Sequence, residues 1–166
     1  MRIGKHGLRE HIRLLTPLLA LIAAVWALRM ILAAADSPAW LVRVVSVTTA
    51  TSAALLLAVL LIHAKRFGSY ASVVVSALLL HLWANLLIVA AIVFSNITAI
   101  ENIYTAPEYG IPGDDPSHLR HIYGHLTYGV GTGTLLGSAF GCLLLLLLRM
   151  LLPNRPSQSS WDDPKK

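Results

Sequence analysis

The chain has 166 residues, of which 56% are hydrophobic and 13% charged, with a formal net charge of +5 and a mean hydropathy of +0.68. That balance is too apolar for an ordinary soluble domain and predicts an integral membrane protein. The basic residues gather at the ends of apolar runs, where topology accounts for them and no nucleic-acid site is needed; the lone Cys142 excludes dithiol chemistry and an intrachain disulfide.

In chain order, Arg2, Lys5, Arg9 and Arg13 precede a first apolar run, Leu14–Ala35. A basic flank of this kind is retained in the cytoplasm. Ala33-Ala34-Ala35 resembles a signal-peptide cleavage site, but the run exceeds the ~7–15 residues of such a peptide and contains Arg29, so the first helix is expected to stay. Asp36-Ser37-Pro38 makes a turn into a second run, Trp40–Ala64, whose Ser46, Thr48, Thr49, Thr51 and Ser52 suit close helix packing. Lys65 and Arg66 mark a second cytoplasmic connection before the third run, Ala71–Ser95, which carries His81 and Asn85 one turn apart.

Residues 96–125 form an acidic loop with Glu101, Glu108, Asp114 and Asp115. Its aromatic, proline and glycine residues, among them Tyr104, Pro107, Tyr109 and Gly110, predict an ordered structure. Asp115 and Pro116 give a helix start, and the fourth apolar run follows at Leu126–Leu152. A helix from Pro116 to Leu152 would be ~55 Å long against a ~30 Å hydrocarbon core, so its first turns stand in the interface or bend at Gly124 or Gly129. Residues 153–166, rich in serine, proline and charge, read as a disordered cytoplasmic tail. The expected fold is all-α: residues 1–152 form an antiparallel bundle of four transmembrane helices. Four crossings place both termini in the cytoplasm of a plasma or inner membrane and the acidic loop outside.

Two patterns share the fourth segment. His118, His121 and His125 fall within an arc of about 60° on an α-helix, and with Glu108 or Asp114 they could ligate zinc or copper. The same residues also suit an interfacial anchor. Gly129, Gly133, Gly137 and Gly141 then continue the four-residue spacing as a glycine zipper, a groove for close backbone approach by an internal helix or a partner. His81 and Asn85 read as an intramembrane polar clasp. A b-type haem would need depth-matched histidines; His81 is expected in mid-membrane, whereas His63 and His125 are expected at opposite boundaries. Arg29 and Arg43 are expected to pair with Asp36, Glu101 or Glu108.

Together these features predict a small accessory or assembly subunit of a membrane complex, or a homo-oligomer, docking through the glycine row and the outer loop. The alternatives are a metal-binding membrane protein or metal-dependent enzyme centred on the histidine cluster, a b-type haem protein, and an oligomeric transporter. No catalytic residue is identified by pattern: the chain has no phosphate-binding loop, dinucleotide fingerprint or nucleophile elbow.

Overall fold

The computed structural model describes residues 2–3, 6–106 and 118–152. Within them the apolar runs form four helices long and apolar enough to cross a membrane: Leu8–Ala34, Ala39–Ala64, Tyr70–Thr98 and Leu119–Leu151. A helix suits such runs because it satisfies every backbone hydrogen bond within the segment, which hydrocarbon cannot do.

The first helix, α1 (Leu8–Ala34), begins earlier than the apolar run. The Gly7 N–H donates to the Glu10 carboxylate at 2.6 Å, closing the first turn over polar residues. Ahead of it, β1 (Arg2–Ile3) and β2 (His6–Gly7) make a small antiparallel hairpin that hydropathy did not announce.

The second run is two helices, α2 (Ala39–Val44) and α3 (Val47–Ala64), rather than the unbroken span expected from Trp40. Ser46 lies at the break with extended dihedrals, and its hydroxyl accepts a 3.5 Å hydrogen bond from the Thr49 N–H. Serine favours such caps over a helix interior, which explains the interruption. Two further hydroxyls turn to their own helix: Thr51 donates to Val47 O at 2.7 Å and Ser52 to Thr48 O at 3.1 Å.

Next, α4 (Tyr70–Thr98) runs unbroken to a left-handed Ala99. The fourth helix consists of α5 (Leu119–Gly124), a π-helical turn (His125–Gly129) and α6 (Val130–Leu151) in direct succession. The main core joins Leu15, Leu18 and Ile22 of α1 to Ala54 and Leu55 of α3 and to Ala77, Leu80 and Ile92 of α4. Leu14, Val59, Ile62, Val73 and Leu145 form a second cluster. Side chains turned away from the core, such as Leu56, Leu78, Leu136 and Phe140, are apolar too. A helix apolar on every side suits a membrane span or the core of a larger assembly.

At one end, Phe67 of the α3–α4 connection lies against the N-terminal hairpin, stacked on His6 with centroids 4.0 Å apart and met edge-on by His11 at 5.0 Å. At the other, loop end, residues after α4 fold back into the bundle. Asn102 donates to Ala91 O at 2.7 Å and accepts from the Tyr104 N–H at 2.9 Å, while the Ser95 and Thr105 hydroxyls meet at 3.0 Å. Ile103, Tyr104 and Thr105 are buried as a result. The described residues that follow α4, 99–106, are therefore ordered.

Candidate functional site

His81 and Asn85 of α4 meet His121 and His125 of the fourth helix in one seam. His81 Nδ1 lies 2.9 Å from Ala77 O, and because a carbonyl only accepts, the proton sits on that nitrogen. Asn85 donates through Nδ2 to His81 O at 2.8 Å, which turns its Oδ1 towards the fourth helix. There Oδ1 accepts the Nδ1–H of His125 at 2.8 Å. His125 Nε2 is thereby a lone-pair nitrogen, and it faces His121 Nε2 at 3.2 Å. The two rings stack with centroids 4.9 Å apart.

The π turn is what aligns this seam. Four residues of α-helix overshoot a full turn by about 40°, so a strict four-residue row winds away from its partner. The wider turn at His125–Gly129 takes up that drift, and both of its end residues lie on Asn85. Below it the glycines leave room for side chains of α4 and α3. A Cβ at Gly129 would strike the Asn85 amide, and one at Gly133 the His81 ring. At Gly137 it would lie 2.9 Å from Leu55 Cδ2 and 3.0 Å from His81 Cε1, and at Gly141 2.7 Å from Val73 Cγ1. Gly124 and Gly131, off the row, would meet nothing within 4 Å. The glycine row is filled from within the chain.

His125 pairs with Asn85, midway along the 29-residue α4. The fourth helix is engaged well before Leu126 because polar seam contacts replace apolar ones there. His118 was placed on the face of His121 and His125, but it precedes α5 in a left-handed conformation (φ 53°), where helical spacing does not apply. Its Nδ1 lies 3.1 Å from Asn96 Oδ1 instead. Glu108, Asp114 and the proposed cap at Asp115-Pro116 lie outside the described residues. Among the described residues, no three histidine, cysteine, aspartate or glutamate side chains converge as a metal site. The His81 ring, packed on Gly133 and Gly137, leaves no gap on that side for a haem macrocycle.

At the loop end, the Arg29 guanidinium lies 5.3 Å from the centroid of the buried Tyr104 ring. Burial raises the Tyr104 hydroxyl above its ordinary pKa, and the Arg29 charge opposes that rise. Among the described residues, no ion pair joins Arg29 or Arg43 to Asp36 or Glu101. Stacking on an aromatic face serves Arg29 instead, while Arg43 is exposed in the last turn of α2. Beside them lies a cavity of about 580 Å³. Met30, Val42, Phe94 and Ile103 are among its apolar lining residues, and Asp36 and Glu101 among its acidic ones.

Sequence reasoning missed Asn96 and Asn102. Asn102 was readable in principle, since an asparagine whose side chain accepts from the N–H two residues on is a common turn device. No protein-family model, curated protein or solved structure matches the chain.

Proposed function

We propose that this chain is a small accessory or assembly subunit of a larger membrane complex, docking through the cavity at its loop end. The observation that carries the reading is that cavity of about 580 Å³ between the α1–α2 turn, the end of α4 and residues 100–106. Its volume falls within the ~300–1,000 Å³ of sites that bury a sizeable group. The alanines 33, 34, 39 and 106 leave it open, and the acids Asp36 and Glu101 border it. It suits a partner segment that inserts an apolar side chain and brings lysine or arginine to those carboxylates. The glycine row does not serve, because α3 and α4 already occupy it.

In this reading the four helices form an antiparallel bundle with both termini cytoplasmic and the cavity on the outer face of a plasma or inner membrane. The basic residues before α1 and in Lys65-Arg66 support that orientation. A reporter after Lys166 is expected inside and one within residues 101–106 outside.

Ala33→Trp, which fills the cavity, tests the docking role. The variant is expected to keep the wild-type melting temperature in detergent and to lose whichever subunit accompanies the wild type from native membranes. Retention of that subunit by Ala33→Trp and by the charge-reversed Asp36→Lys would remove the cavity from the account. A self-associating wild type whose oligomer dissociates in Ala33→Trp would make the partner a second copy of this chain.

A further inference from the structure

We infer that His121 and His125 form a seat for a single zinc- or copper-type ion, bound through their two Nε2 atoms and positioned by Asn85. This stands independently of the docking reading, since the pair lies in the α4 seam and contributes nothing to the cavity.

Three observations converge. The first is distance: two nitrogens each ~2.0–2.1 Å from one tetrahedral zinc lie about 3.3 Å apart, and the Nε2 atoms lie 3.2 Å apart. The second is tautomer. Asn85 Oδ1 takes the Nδ1–H of His125, leaving Nε2 with its lone pair directed at His121. A metal-bound imidazole ordinarily has such a partner on its far nitrogen, which orients the ring and raises its basicity. Asn85 is itself held by its bond to His81 O, so the orienting group is fixed in turn. The third is the backbone: a π turn starts at His125, and such turns occur frequently at functional sites.

In the metal-free pair one Nε2 must donate to the other. Since His125 already carries its proton on Nδ1, the Nε2 proton belongs to His121. Binding requires that proton to pass to Nδ1 of the same ring by way of solvent, so both rings remain neutral and no net proton is released. Among the described residues no third acidic, histidine or cysteine ligand completes the set. Water fills the remaining positions, and the ion is exchangeable. Imidazole donors favour zinc, copper and nickel, with copper(II) bound most tightly of the divalent series.

The test uses the full chain in detergent with Zn²⁺ or Co²⁺ alone, read by isothermal titration and by the visible absorption of the cobalt form. The wild type is expected to bind one ion per chain, and His125→Ala to bind at least tenfold more weakly. Asn85→Leu, which leaves the His125 Nδ1–H unmatched, is expected to weaken binding 10–100-fold. Asn85→Asp offers a stronger acceptor and is expected to match or exceed the wild type. That reversal between two substitutions of one residue is not produced by a purely structural role. Thermal unfolding of each variant shows whether it remains folded, and His121→Gln gives a second folded control. Failure of the wild type to bind more tightly than the His121→Ala, His125→Ala double variant overturns the metal site and identifies the contact as an N–H···N bond. Equal binding by Asn85→Leu and Asn85→Asp leaves the metal site standing and overturns the positioning role.

Discussion

The seam between α4 and the fourth helix and the loop end of the molecule are both built from small residues, but they use them in opposite ways. In the seam the missing side chains are replaced at once: Asn85 fills the space at Gly129, His81 that at Gly133, and Leu55 and Val73 those at Gly137 and Gly141. At the loop end, Ala33, Ala34, Ala39 and Ala106 border a cavity that no side chain among the described residues fills. Small residues on a membrane helix therefore say only that something approaches closely. Whether that neighbour belongs to the same chain depends on the facing residues: in the seam Asn85, His81, Leu55 and Val73 fill the space, whereas at the loop end none of the described residues does.

The largest effect expected to sharpen this contrast comes from the seam. Gly133→Leu must displace the His81 ring from its bond to Ala77 O, and overpacking of this kind costs about 1–3 kcal/mol. Thermal unfolding in detergent measures it. Next comes Asn85→Leu, which removes the link between His81 O and His125 Nδ1; interhelical polar contacts in membranes contribute about 1–2 kcal/mol. A double-mutant cycle with His125→Ala would show the coupling, and strict additivity of the two changes would mean the bond contributes nothing. Smaller again is Ser46→Ala at the α2–α3 break, where loss of a long cap hydrogen bond is expected to cost about 0.5 kcal/mol, at the lower end of cap substitutions. An apparent gain in stability there would show that the chain prefers one continuous helix across Val45.

Much of this architecture was legible in sequence. Four runs of sufficient length mark four helices because the length and composition needed to cross a hydrocarbon core can be read directly from the residues. The spacing of Gly129, Gly133, Gly137 and Gly141 announced a close approach, and His81 with Asn85 announced a polar contact. Their union was not legible. Periodicity reports which residues share a face of one helix, whereas the pairing of His125 with Asn85, 40 positions apart, depends on the register of two helices and on a π turn that shifts it. His118 shows the same limit locally. Its membership of the histidine row assumed a helix starting at Pro116, and α5 starting at Leu119 leaves it outside. The N-terminal hairpin and the Asn102 turn went unseen because short polar stretches carry no hydropathy signal.

The most direct test of the seam compares Gly133→Leu with Gly131→Leu, two residues away on the same helix, where an added Cβ meets nothing within 4 Å. Both substitutions carry the same change in helix propensity, so their difference isolates packing. Under identical detergent, Gly133→Leu is expected to unfold at a clearly lower temperature and Gly131→Leu at or above the wild-type value. Equal melting temperatures for the two variants would contradict an inward-facing glycine row, and with it the assignment of His81 and Asn85 to the seam.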